Sequence, residues 1–168
     1  MIQYDVLIIT GGVSAGRFDL LPQALKECAV NEIFHKVAQR PGKPFWFGKN
    51  ERDVLVFGLP GNPVSSFMCT VRYVVPWLKK CMQIKAFHSP YALLEKDISF
   101  SPALQYFLPV HAYINSVGEV IARPIAGNGS GDYLQLLPAN AFIELPMNKE
   151  IFKKGEPYKI WPFRCSLL

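Results

Sequence analysis

This sequence has no long apolar run, no cysteine pair at CxxC spacing and no internal repeat. No apolar stretch approaches the ~20 residues that a membrane-spanning helix needs, and residues 1–10 lack the basic start and cleavage pattern of a signal peptide. The four cysteines are scattered and have no histidine cluster beside them, which disfavours a zinc site and favours reduced, buried thiols in a cytoplasmic protein. They are Cys28, Cys69, Cys81 and Cys165.

Charge is also scarce and dispersed. Only 18% of the residues are charged and 50% are hydrophobic, which is a globular composition rather than a disordered one. The net charge is +5, but the basic residues form no stripe and include only short pairs such as Lys79–Lys80 and Lys153–Lys154. The composition therefore favours a small anionic ligand over nucleic acid, and it indicates no membrane partner.

Two glycine-rich turns each lead from an apolar strand into a helix. The first turn, Thr10–Gly16, follows the strand Asp5–Ile9, and the second, Gly58–Ser65, follows the strand Val54–Phe57. Such a turn gathers backbone N–H groups at the positive end of a helix dipole, where phosphate or another oxyanion binds well. Two of them in one domain predict one anionic ligand bound from two sides. The candidate ligand-binding residues are Gly11, Gly12, Ser14, Gly16, Pro60, Gly61, Asn62, Pro63 and Ser65.

A chain of 168 residues has room for one or two domains. The patterns divide it into an α/β unit over residues 1–86 and a β-rich unit over residues 90–163. The first strand begins almost at Met1, so the chain is either a natural half-protein or a fragment of something longer. In the β-rich unit, short apolar stretches separated by turn residues predict a small barrel or sandwich. These stretches are Leu104–Tyr113, Glu119–Pro124, Ala141–Leu145 and Tyr158–Trp161.

Within the α/β unit, we expect a helix near residues 19–29 and a second helix that begins at Asn62 and follows an apolar stripe to Leu78. Asp19 can cap the first helix, and Pro76 is expected to kink the second. The strands expected between the two helices are Ile33–Ala38, Phe45–Phe47 and Val54–Phe57.

Ser14 and Asp19 lie in or just after the first turn, and each has two interpretations. Ser14 either donates a hydrogen bond to phosphate or satisfies the backbone of its own turn. Asp19 either caps the helix or provides a carboxylate beside the anion, where it can hold a divalent cation.

Lys36, Arg40 and Lys43 form a cation cluster around a loop with the sequence Arg-Pro-Gly-Lys-Pro. The two prolines stiffen this loop, and a guanidinium can bind an oxyanion through two hydrogen bonds. The alternative is that these are ordinary solvated cations at a strand edge. A fourth candidate, the turn Gly129–Asp132, is typical of barrel hairpins and indicates a ligand contact only weakly.

Three segments together resemble the molybdopterin molybdenumtransferase family, which includes the C-terminal part of gephyrin. They are Gly11–Gly16 with Asp19, Lys36–Phe45 and Gly58–Ser65, in the family's order and with similar spacing. The β-rich tail, with Gly129–Ser130 and Ala139–Pro146, is similar to the family's C-terminal β domain. The resemblance covers nearly all of this chain but only the C-terminal portion of the family's proteins.

The resemblance implies a three-layer α/β molybdopterin-binding half-domain followed by a small all-β barrel-like domain. It implies an enzyme of molybdenum cofactor biosynthesis that inserts molybdate into adenylylated molybdopterin and releases AMP, assisted by Mg²⁺. It also implies a homodimer, or a partner that carries the missing N-terminal half. Asp19 corresponds to the family's acidic residue and metal ligand, Lys36 and Arg40 to its catalytic basic pair. Pro60 and Pro63 correspond to the prolines of the family's second turn, and Ser130 to a polar residue of the β domain near the pterin site. Lys43 stays a ligand-binding candidate from its stiffened loop.

The sequence also departs from the family's pattern. Ala15 stands where a valine is usual, Arg17 where an acidic residue is common, Pro109 near an expected arginine, and Arg40 in place of a lysine. Three hypotheses follow: an enzyme half that needs the missing portion, a non-catalytic molybdopterin-binding or dimerisation module, and a general phosphate-binding α/β domain.

Overall fold

A computed structural model describes residues 4–13, 20–84, 90–125 and 133–164. The first part is a four-stranded sheet with helices. Its strands are β1 (Val6–Thr10), β2 (Val30–His35), β4 (Trp46–Asn50) and β5 (Leu55–Leu59), and the two-residue β3 (Gln39–Arg40) joins a second sheet. Its helices are α1 (Leu21–Glu27), α2 (Pro63–Cys69) and α3 (Val75–Cys81).

The sheet has the order β1-β5-β4-β2. β1 runs parallel to β5, and β4 runs antiparallel to both β5 and β2. Consequently β1, β5 and β2 point the same way, and their carboxyl ends lie at one edge of the sheet. Functional groups in open α/β sheets lie at such an edge.

β2 differs from its predicted bounds, Ile33–Ala38, by three residues at each end. It begins earlier because Val30 and Asn31 pair with Asn50 and Lys49 of β4. It ends at His35 because Lys36 adopts a left-handed backbone conformation, with φ of +67°, which turns the chain out of the strand. β4 extends to Asn50, past the predicted end at Phe47.

The helix starts follow local rules. Asn62 caps α2 and Pro63 occupies its first turn, as predicted. A π-helical turn over Thr70–Val74 separates α2 from α3. Pro76 follows it in the first turn of α3, and because proline has no N–H it cannot continue the regular hydrogen-bond ladder of an α-helix. The N-cap of α1 is Leu20, and Asp19, the predicted cap, lies outside the described residues.

The second part is a closed five-stranded barrel, which confirms the predicted β-rich unit and selects a barrel over a sandwich. The order β10-β12-β6-β9-β8 closes by pairing of β10 with β8, and β3 adds to β8 in parallel. Alanines and branched residues fill the interior, as expected where facing strands are close. The five barrel strands are β6 (Tyr91–Leu94), β8 (Gln105–Ile114), β9 (Val120–Pro124), β10 (Ala141–Leu145) and β12 (Pro157–Pro162). Two short strands, β7 (Ile98–Ser99) and β11 (Ile151–Phe152), form a separate two-stranded sheet.

The two parts share a buried apolar cluster. Phe45, Phe57 and Met68 of the α/β part pack with Phe107 and Phe142 of the barrel. The loop that carries the predicted cation cluster therefore lies where the parts join. No helix within the described ranges is long and apolar enough to cross a membrane.

Candidate oxyanion site

The two glycine turns meet at the carboxyl edge of the sheet. β1 and β5 pair in register up to Thr10 and Leu59, and the N–H of Gly11 donates to the carbonyl oxygen of Leu59 over 2.9 Å. A Cβ built on Gly61 would lie 3.4 Å from the Cα of Gly11. A Cβ built on Gly11 would lie 4.0 Å from the Cα of Gly61. Both added carbons would make ordinary van der Waals contacts, so the backbones of the two turns lie side by side at these glycines.

The second turn is held by its helix cap. The Asn62 side-chain oxygen accepts hydrogen bonds from the backbone N–H and the hydroxyl of Ser65, at 3.0 and 3.1 Å. Ser65 is only 6% exposed, so its hydroxyl braces the cap. Pro60 is buried and Pro63 is exposed in the first turn of α2. The Ser66 N–H donates to the carbonyl oxygen of Asn62 over 2.9 Å, so Asn62 fixes the start of α2 through both its side chain and its backbone.

The first turn crosses the sheet edge towards β2. Val13 is fully buried against Trp46, and its carbonyl oxygen accepts a 2.9 Å hydrogen bond from Nε2 of His35. The residue after His35 is Lys36, whose side chain is exposed. The structure therefore brings Gly11, Gly12 and Lys36 to one edge, although β1 and β2 are the outer strands of the sheet.

Arg40 and Lys43 extend this edge towards the barrel. Both side chains are exposed. The Arg40 guanidinium carbon lies 5.9 Å from the centre of the Phe100 ring, and the cation opposes the burial that raises the pKa of Tyr106. Arg40 thus lies on the barrel side of the loop, where a ligand spanning both parts of the chain could contact it.

Four predicted site residues lie outside the described residues: Ser14, Gly16, Asp19 and Ser130. The described residues contain no group of three His, Cys, Asp or Glu side chains that could hold a metal ion. The donor set present does not fit Mg²⁺ by itself. The Mg²⁺ site at Asp19 stays a prediction.

Two residues that stabilise this edge were not predicted from the sequence, His35 and Gln39. His35 ties the first turn to β2, and Gln39 is buried beneath the cation loop with its side-chain amide bonded to the loop carbonyl of Gly42. Neither carries a local signal, because each acts through a partner that is distant in sequence or is the backbone of its own loop.

β1 is only partly covered in the part of the chain that the structure describes: Val6 and Ile9 are half-buried and pack against the core, but other positions are exposed. Leu7 and Ile8 are 43% and 47% exposed, and consecutive strand residues point to opposite faces. Among the described strands, only β5 pairs with β1. Strands of parallel sheets are normally covered on both faces.

Comparison with known proteins identifies the family. The family model described as "Probable molybdopterin binding domain" matches residues 1–80, and the model "MoeA C-terminal region (domain IV)" matches residues 91–163. The chain belongs to the MoeA family as a partial member. It is 37% identical to a molybdopterin molybdenumtransferase of Synechocystis over 95% of this chain, and 33% identical to one of Haemophilus influenzae over 98%.

The solved structures agree with the family assignment. The molybdopterin biosynthesis MoeA protein from Pyrococcus horikoshii superposes with a TM-score of 0.74 at 29% identity, over 95% of this chain. This confirms the predicted α/β half-domain and barrel. The chain spans only 39% and 41% of the two relatives and 37% of the Pyrococcus chain.

Proposed function

We propose that this chain supplies the C-terminal half of a molybdate-insertion site, in which molybdate enters adenylylated molybdopterin and AMP is released. The meeting of Gly11, Gly61 and Lys36 at one sheet edge carries this proposal within the MoeA family. The substrates are polyanions, and this edge offers backbone N–H groups and cations.

The residues have separate roles in the proposed reaction. The N–H groups at Gly12 and Gly61 bind pterin phosphate or the nucleotide phosphate, beside Gly11, whose own N–H is bonded to Leu59. Lys43 adds charge from its loop. Lys36 and Arg40 handle molybdate and stabilise the negative charge that develops as AMP leaves. Asp19 would be the residue of this chain that holds Mg²⁺, and Ser130 would contact the pterin.

The site needs a second polypeptide segment. β1 exposes Leu7 and Ile8 on opposite faces, which supports a strand or helix from elsewhere covering it. We propose that this is the N-terminal half found in the longer relatives, acting in the same assembly, with homodimerisation of the assembled unit.

The alternative function is a non-catalytic module that binds molybdopterin or mediates dimerisation. Such a module would use the same glycine turns for binding, but it would release no AMP.

A complementation assay distinguishes the two functions. The chain is mixed with the N-terminal portion of the Synechocystis relative, and AMP release is measured with molybdate and adenylylated molybdopterin. An insertion half gives molybdate-dependent AMP release that falls at least about 100-fold in Lys36→Gln, since an oxyanion would lose its charged partner. Lys49→Gln, an exposed lysine near the end of β4, is the matched control and keeps full rate.

Binding of the adenylylated pterin without AMP release from the mixture would support the module instead. Absence of binding at millimolar ligand by a folded sample would contradict both functions.

A further inference from the structure

A buried polar cluster lies directly beneath the cation loop. It consists of Gln39, Gly42, Cys69 and Tyr73. Gln39 is 1% exposed, although its neighbour Arg40 is exposed. The two-residue strand β3 puts Gln39 inside and Arg40 outside, because alternate residues of a strand face opposite ways.

Both ends of the Gln39 amide are bonded. Its Nε2 donates to the carbonyl oxygen of Gly42 over 3.3 Å and to the sulfur of Cys69 over 3.6 Å. Its Oε1 accepts a short hydrogen bond from the hydroxyl of Tyr73. Gln39 therefore joins the loop backbone to the α2 end and to the π-helical turn.

The packing around Gly42 leaves no room for a side chain. A Cβ on Gly42 would lie 2.6 Å from the Cys69 sulfur and 2.7 Å from Nε2 of Gln39. Phe45, the residue after the loop, donates its N–H to the Gly42 carbonyl over 3.1 Å and stacks on the Tyr73 ring at 4.8 Å. Buried contacts therefore hold the loop backbone in place, while the side chains of Lys43 and Arg40 stay on the surface.

We propose that Gln39 is a positioning residue, which together with Tyr73 holds the Arg40–Lys43 loop onto α2 and so sets the affinity of the loop cations for an oxyanion. The inference rests on the proposed function for the identity of that oxyanion, molybdate. The N-terminus of α2 is capped by Asn62 of the second glycine turn, and its last residue is Cys69, which Gln39 contacts. The same helix therefore connects the glycine turn to the cation loop. Fixing the loop to α2 therefore fixes the spacing between the cations and the turn.

Cys69 provides a direct readout of loop docking. Burial raises the pKa of its thiol to about 12, whereas Cys28 and Cys81 are exposed. Because the thiolate is the reactive form, iodoacetamide should alkylate Cys69 at least about 100-fold more slowly than Cys28 at pH 8, measured by peptide mass spectrometry.

The first test uses Tyr73→Phe and Gln39→Met, which remove the hydrogen bonds and keep most of the volume. Tyr73→Phe should accelerate alkylation of Cys69 at least about tenfold without changing that of Cys28. Gln39→Met should accelerate it less, because it also removes the hydrogen bond that lowers the pKa of Cys69. Tyr113→Phe is the matched control, because the Tyr113 hydroxyl bonds Glu95 on the barrel; it should leave Cys69 protected. Unchanged alkylation in both variants would overturn the proposal.

The second test uses molybdate. In the native chain, millimolar molybdate should slow the alkylation of Cys69 further, and the two variants should need about 10- to 100-fold more molybdate for the same protection. In the complemented enzyme, the variants should raise KM for molybdate by that factor and change kcat much less. A purely structural role predicts equal loss for all substrates, which would overturn the positioning role.

The proposed function can fail separately. If the complemented enzyme releases no AMP, the molybdate-insertion function is wrong, and molybdate protection of Cys69 in the native chain and variants still decides the role of Gln39. If molybdate leaves the alkylation of Cys69 unchanged in the native chain and in both variants, Gln39 does not set the affinity of the loop for an oxyanion.

Discussion

The N–H of Gly11 donates to the carbonyl oxygen of Leu59 over 2.9 Å, so the first glycine turn is fastened to the strand that leads into the second. This bond extends the parallel ladder of β1 and β5 by one residue beyond the pair Thr10–Leu59. The two turns therefore behave as one rigid surface, and a ligand that contacts both does not have to bring them together.

Gly11 and Gly61 should respond differently to alanine. Gly11 has φ of +88°, a conformation that costs an L-residue about 1–2 kcal/mol. Gly61 has no such φ, and its added Cβ would only touch the Cα of Gly11 at 3.4 Å. We expect Gly11→Ala to lower the free energy of unfolding by about that amount and Gly61→Ala to leave it nearly unchanged, as measured by urea denaturation. Equal losses would show that the turns are not arranged as described.

Gly42→Ala should be more damaging than the backbone conformation alone explains. Gly42 and Gly118 have nearly the same φ, +91° and +86°, but a Cβ on Gly118 meets nothing within 4 Å. Both substitutions cost about 1–2 kcal/mol for the left-handed conformation, and Gly42→Ala costs about 1–3 kcal/mol more for overpacking. Urea denaturation of the pair measures the difference. An equal cost would mean that the space beneath the loop is not filled.

Local chemistry made part of this fold predictable. The start of α2 was predicted correctly, because its glycine turn, the Asn62 cap and Pro63 depend only on residues that are neighbours in the sequence. The barrel strand Ala141–Leu145 was predicted at its observed bounds, because the apolar run ends at Pro146. The match of these features to the MoeA family supplied the rest of the fold class.

Other elements depend on partners far away in the chain. β3, Gln39–Arg40, exists because β8 offers it an edge to pair with, and nothing in two residues signals a strand. The short β7 and β11 pair only with each other. The burial of Gln39 depends on Tyr73, 34 residues away, so a sequence pattern alone does not reveal it.

Two substitutions at Asn62 should affect stability and ligand binding differently. Asn62→Ala removes the cap to Ser65 and should cost about 1 kcal/mol of unfolding free energy. Asn62→Asp keeps a capping oxygen, so stability should be retained. The added carboxylate faces the proposed anion, so calorimetry should show at least about tenfold weaker binding of AMP. Unchanged AMP affinity in Asn62→Asp would place the anion away from this turn.

Glu156 should give the barrel a pH-dependent contribution to stability. Hydrogen bonds from Lys149, then Tyr158 and the Lys153 N–H, lower the pKa of Glu156 from 4.5 to about 2. Because the folded-state pKa is lowered, the stabilisation is complete above pH 4.5 and is lost as the pH falls towards 2. The urea midpoints of the native chain and Glu156→Gln should therefore differ at pH 7 and converge near pH 2–3. Glu51→Gln, in the β4–β5 turn, controls for the loss of one negative charge. A difference that stays constant with pH would contradict the assignment.

The exposed edge strand β1 should determine what the chain assembles with. Leu7 and Ile8 are exposed on opposite faces, and one edge of β1 has no partner among the described strands. Such an edge recruits another chain. By light scattering after size exclusion, we expect the chain to form a homo-oligomer alone and a stoichiometric complex with the N-terminal portion of the Synechocystis relative. Leu7→Lys and Ile8→Lys should each weaken that complex at least about tenfold, because a buried charge would lack a partner. Val117→Lys, on an exposed hairpin tip, controls for the added charge. A clean monomer that inserts molybdate at a normal rate without the N-terminal portion would overturn this assembly.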